Sequence, residues 1–111
     1  MDDDTGQPDQ LVRFTQSALL DLAGIDNATS VMWGIEQAER YLSFLDEVFK
    51  VLVRDPKLGM RVEQHKGYRS YTAKYKRRRS THGHRIFYRE TEYGILVVRI
   101  LHTAMNWPDH L

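Results

Sequence analysis

The clearest pattern in the chain runs from Ile35 to Val53, where Ile35, Ala38, Leu42, Leu45, Phe49 and Leu52 recur at steps of three and four. That spacing predicts an amphipathic helix with one continuous apolar stripe, and Glu36 with Arg40 and Asp46 with Lys50 stand as i,i+4 charge pairs elsewhere on it. Tyr41, Phe44, Val48 and Val51 form a second stripe beside the first. At 100° per residue the combined apolar arc covers about 200°, wider than one sheet face needs. Two covers are available for the surplus: a neighbouring helix packed through a short Trp33-Gly34 connection, or a partner chain.

Upstream, Leu11-Val12-Arg13-Phe14-Thr15 reads as a short strand at a sheet edge. From Gln16 to about Met32, the spacing of Ala18, Leu19, Leu22, Ala23 and Met32 suits a helix capped by Thr15 or Ser17, with Gly24 and Asn27 weakening it. Downstream, Arg54-Asp55-Pro56 ends the long helix, because the residue before a proline avoids the α region, and Gly59 marks a loop. Three strands follow: Tyr68 to Tyr75, His84 to Arg89, and Ile95 to His102, whose nearly continuous apolar character predicts a central strand buried on both faces. Glu90 to Gly94 fits a tight antiparallel turn. The sum is an α+β fold: a strand, an α-helical hairpin and an antiparallel three-strand meander (β-α-α-β-β-β), with the helices on one face of the sheet. Residues 11–111 form one domain behind a flexible acidic leader, 1–10.

Composition narrows the class. At 111 residues and 41% hydrophobic, the chain fits one domain with a real core. It has no cysteine, which excludes disulfides, thiolate zinc sites and cysteine nucleophiles. No apolar run approaches the ~18 residues of a membrane span, and the opening MDDDTGQPDQ is acidic where a signal peptide is basic and then apolar. A cytoplasmic protein with no membrane partner is expected. The net charge of +1 conceals a division: residues 1–60 hold five Lys/Arg against eleven Asp/Glu (−6), whereas residues 61–111 hold eleven against four (+7). A basic half of that size predicts an anionic partner, either nucleic acid or an acidic protein surface.

Candidate chemistry concentrates in this basic half. The run Lys74-Tyr75-Lys76-Arg77-Arg78-Arg79 reads either as a solvated hairpin loop or as a phosphate-binding surface, with Tyr71 and Tyr75 near enough to stack on bases. Lys74, Lys76, Arg77, Arg78, Arg79 and Arg85 are therefore the candidate target- or phosphate-binding residues. His82 and His84 share a strand face, but no carboxylate or cysteine stands at a ligand spacing, so no metal site and no cofactor are expected. Arg99 and His102 need partners if buried, and a satisfied structural pair is expected of them rather than catalysis. No Ser/His/Asp arrangement, P-loop or dinucleotide fingerprint is present.

Several local runs converge on one family. Ala18 with Asp21-Leu22 and Ile25, Trp33-Gly34 with Glu36-Gln37-Ala38 and Tyr41, and Asp55-Pro56 with Gly59 come first. Gly67-Tyr68-Arg69, Gly83 to Arg89, Val98 to His102, Met105 and the final His110-Leu111 complete the set, in an order and spacing that resemble the ParE branch of the ParE/RelE toxin superfamily. The stretch from Ala73 to Thr81 departs from that pattern as a basic insertion. The resemblance implies the toxin half of a bacterial type II toxin–antitoxin module. Such a toxin poisons DNA gyrase by stabilising the cleaved gyrase–DNA complex, touches nucleic acid through its target, and is neutralised in a hetero-oligomer with a cognate antitoxin. Exposed parts of Tyr41, Phe44, Val48 and Val51, with a sheet edge, are expected to receive the antitoxin. The alternative is a RelE-like ribosome-dependent mRNA endonuclease, for which Arg69, Lys74, Arg85 and His102 would supply base, acid and phosphate-binding cations. RelE-like nucleases tend to carry a tyrosine near the C-terminus, and the absence of one from Trp107 to Leu111 favours the non-enzymatic inhibitor.

Overall fold

The computed structural model describes the backbone of residues 11–77 and 80–111, and the side chains of all of these but 77 and 80–82. The expected leader, 1–10, and Arg78 and Arg79 lie outside the described residues. The elements follow as β1 (Val12–Phe14), α1 (Gln16–Trp33), α2 (Ile35–Arg54), β2 (Met60–Arg61), β3 (Tyr68–Arg77), β4 (Ser80–Glu90), β5 (Ile95–His102) and a 3-10 turn, Trp107–Asp109. The strands form one sheet in the order β1-β5-β4-β3-β2, with β1 parallel to β5 and every other pair antiparallel.

Thr15 is the hinge between strand and helix. Its hydroxyl accepts from the Ala18 amide at 3.1 Å, capping α1, and donates to the Val98 carbonyl at 2.8 Å. One buried side chain thus starts the helix and ties it to β5. Gly34 alone separates the two helices. Its φ of +93°, a conformation open mainly to glycine, lets its amide reach the Ser30 carbonyl while its own carbonyl accepts from Ala38. Both helices lie on one side of the sheet, where Ala18, Ile25, Tyr41, Leu45, Phe49 and Leu52 pack on Ile86, Tyr88, Ile95, Val97 and Ile100. The opposite face carries a smaller cluster, Val62, Phe87, Leu96, Val98 and Leu101, shielded by Tyr68, Trp107 and Leu111. β5, buried nearly throughout, sits between β1 and β4 as its apolar run predicts.

Four expectations change. The buried face of α2 runs through Ala38, Tyr41, Leu45, Phe49 and Leu52, whereas Ile35 is 71% exposed. Tyr41, placed by pattern on the outer stripe, is 3% exposed. The described part of the basic stretch, 73–77 and 80–81, is strand and not loop: β3 and β4 stay in register from Tyr68↔Arg89 to Arg77↔Ser80, so it lengthens a two-stranded ribbon. A short extra strand, β2, pairs Met60 with Ser70 and Arg61 with Arg69 at the far edge; two residues carry too little periodicity to be seen in sequence.

The turn after α2 is held by two side chains. The Tyr88 hydroxyl donates to the Pro56 carbonyl at 2.7 Å and accepts from the Gly59 amide at 2.9 Å. Arg69 donates to the Gly59 carbonyl at 2.8 Å. A Tyr88→Phe variant will therefore lose about 1–3 kcal/mol, because it strands a buried donor and acceptor. Its urea midpoint will fall with an unchanged m-value.

Candidate interaction surfaces

β1 pairs only with residues Ile95 to Val97, so the rest of β5 would present a bare edge. Asp21, on the first turns of α1, closes part of it. One carboxylate oxygen accepts from the Ile100 amide at 2.8 Å and from Arg99 Nε at 2.9 Å, and the other accepts from the second Arg99 nitrogen at 3.0 Å. The remaining Arg99 nitrogen donates to the His110 carbonyl at 2.7 Å. The hydrogen bonds to Asp21 raise the guanidinium pKa further. Arg99 is thus satisfied, as expected, but not by His102, which is exposed and accepts from the Ala104 amide through Nδ1.

Beyond this clamp lies a groove of about 410 Å³ between α1 and the outer half of β5. Leu20, Gly24, Ala28 and Met32 recur every four residues and make one wall, with Trp33, Met105, Ile100 and His102 around it. The hollow has a local cause: Gly24 and Ala28 are small, and nothing lies within 4 Å of where a Gly24 Cβ would stand. Leu20 is 63% and Met32 71% exposed. Most of the exposed large apolar side chains of the two helices are thus on α1 (Leu19, Leu20, Val31, Met32 and Trp33), against Ile35 on α2. The signal was present in the four-residue repeat, but Gly24 read as a helix-weakening residue hides it.

At the inner end of the groove, His84 Nδ1 and the Tyr41 hydroxyl are 2.6 Å apart. The His84 ring meets that of His102 edge-on at 5.3 Å. Burial pushes the Tyr41 phenol above its usual value, so it stays a neutral hydrogen-bonding group. Tyr41 also packs against Phe44 and Tyr75, which makes it a core residue joining α2 to β3 and β4, unavailable as the exposed antitoxin contact anticipated for it. Phe44, Val48 and Val51 are half-buried.

The basic residues divide between the two faces of the sheet. Tyr71, Ala73 and Tyr75 pack toward the helices, so Tyr71 and Tyr75 are not available to stack on bases. Lys74 and Lys76 alternate with them and are exposed on the opposite face, where Arg85 joins them through its pairing with Thr72. The four residues considered for RNA cleavage do not converge. Arg69 is engaged with the turn after α2, Lys74 and Arg85 lie on the face away from the helices, and His102 lies beside His84 on the helical side.

This geometry has known relatives. The family model for the ParE toxin of type II toxin–antitoxin systems, parDE, matches residues 12–107. The chain belongs to the ParE toxin family. Toxin ParE1 of Mycobacterium tuberculosis H37Rv is 33% identical over 100 residues, which cover 88% of this chain and 94% of the relative. Toxin ParE1 of Caulobacter vibrioides is 30% identical over 100 residues, covering 89% and 95%. Among solved structures, one described as the chromosomal ParDE TA system from P. aeruginosa has the same fold, with a TM-score of 0.61 and 23% identity, covering 85% of this chain and 96% of that chain. Among the described residues of this ParE-family chain, no helix is long and apolar enough to cross a membrane.

Proposed function

We propose that this ParE-family toxin acts by holding DNA gyrase in its cleaved complex with DNA, and that a cognate antitoxin segment silences it by lying in the groove between α1 and β5. The family match across the folded domain carries the first part. The dispersal of Arg69, Lys74, Arg85 and His102 supports a non-enzymatic inhibitor over an endonuclease, because cleavage of RNA needs base, acid and phosphate-binding groups around one atom. The second part rests on the groove. A contiguous apolar wall next to unpaired strand backbone suits a segment that packs one face as a helix and adds hydrogen bonds at the sheet edge. Phe44, Val48 and Val51, half-buried on α2 and outside that groove, remain a second contact of the same proposal.

Incubation with gyrase, ATP and supercoiled plasmid, followed by detergent and protease, will yield linear DNA, and purified antitoxin added first will prevent it. Plasmid that stays supercoiled, alongside codon-phased cuts in message on translating ribosomes, would replace this reading with the nuclease one.

A further inference from the structure

The β3–β4 ribbon outruns the sheet that supports it. β4 pairs with β5 only as far as His84↔His102, whereas β3 and β4 continue through Lys74↔Gly83, Tyr75↔His82, Lys76↔Thr81 and Arg77↔Ser80. At the first of these pairs the Thr103 amide still donates to the Gly83 carbonyl at 3.2 Å, and among the described residues the last three have no third strand alongside. One side of the projection leans on α2, where Tyr75 meets Phe44 at 5.1 Å and Tyr41 at 5.6 Å between ring centres. The other side has no helix packed on it among the described residues and carries Lys74 and Lys76, with Arg85 on the same face further in, where β4 still pairs with β5. Among the described residues no carboxylate lies within ion-pairing distance of these three.

From this we infer that the outer face of the β3–β4 ribbon, through Lys74, Lys76 and Arg85, binds the phosphate backbone of duplex DNA directly. The ribbon has the right form, since the major groove, about 12 Å wide, admits a two-stranded β-ribbon. Its cation spacing also fits. Residues i and i+2 on a strand stand about 6.6–6.8 Å apart, about the distance by which two successive phosphates of one strand advance along the duplex axis, at ~3.4 Å each. A single strand is the poorer ligand, because its recognition depends on aromatic side chains that stack on bases. Here Tyr71 and Tyr75 are committed to the helical side. The inference goes beyond gyrase poisoning, and naked DNA tests it without gyrase, so either can fail alone.

The experiment is fluorescence anisotropy of the full chain with a 20-base-pair duplex, the corresponding single strand and poly-glutamate, from 50 to 200 mM KCl. The duplex is expected to bind most tightly. Each lost phosphate contact changes the slope of log K against log salt by about 0.9, so Lys74→Ala/Lys76→Ala/Arg85→Ala will flatten it by roughly 2.7 and weaken binding at least tenfold at 50 mM. Lys74→Ala/Lys76→Ala, which alters only exposed side chains, will flatten it by about 1.8 and covers the case in which loss of half-buried Arg85 disturbs folding. Lys57→Ala/Lys66→Ala, away from the ribbon, will leave the slope alone. A duplex slope unchanged in the Lys74/Lys76 variant, absence of binding at 50 mM, or tighter binding of the single strand or of poly-glutamate would each overturn the inference.

Discussion

Asp21→Asn will lower the stability of this toxin by about 2–3 kcal/mol, as expected when a partly buried acceptor of charge-assisted hydrogen bonds is replaced by a group that presents donors to donors. The carboxylate takes three hydrogen bonds, two from Arg99 and one from the Ile100 amide. Asparagine keeps the shape but has a single acceptor oxygen, and its NH2 must point at either the guanidinium or the strand. The effect will be read as a fall in the urea midpoint at constant m-value and a drop in melting temperature of about 10 °C or more for a domain of this size. Arg99→Met added to Asp21→Asn will cost less than the two single changes together, since both remove the same interaction. Additive losses would mean that the ion pair contributes little and that Asp21 acts through the strand amide alone.

The second large effect concerns the groove. Gly24→Leu/Ala28→Leu fills the hollow without touching the core, because both positions are exposed and the space around Gly24 is open. Replacing an exposed helical glycine by leucine gains up to about 1 kcal/mol of helix stability, so this variant will melt higher than the parent. Antitoxin affinity will nonetheless fall about a hundredfold, some 2.8 kcal/mol, as seen by titration calorimetry. Gyrase poisoning will persist, and the variant will escape neutralisation. Undiminished antitoxin affinity would move the docking surface elsewhere.

The order of elements was legible because each local signal agreed with the next: Thr15 before an apolar period, Asp55-Pro56 after one, and an Ile95–Leu101 run that only Arg99 interrupts. The face of each helix was less so. Tyr41 and Leu42 stand about 100° apart on the helix, one on each of the two adjoining apolar stripes, and periodicity alone cannot decide which stripe turns inward. Tyr41 does, because its hydroxyl finds His84, a partner 43 residues away. The Lys74–Arg79 run reads as a loop by composition, yet Tyr71, Ala73 and Tyr75 packed on one side are enough to keep its first half in a strand. The Asp21–Arg99 clamp spans 78 residues, and no local pattern announces it.

Among the described residues β1 finds its one strand neighbour in β5, and the Thr15 hydroxyl reaches Val98 across 83 residues. The helical hairpin and the β3–β4 ribbon can form from nearby segments, but this seam cannot close until Val98 has been made. Long-range closures of this kind are slow, so on a chain lengthening from its N-terminal side β1 is without this strand neighbour until β5 follows.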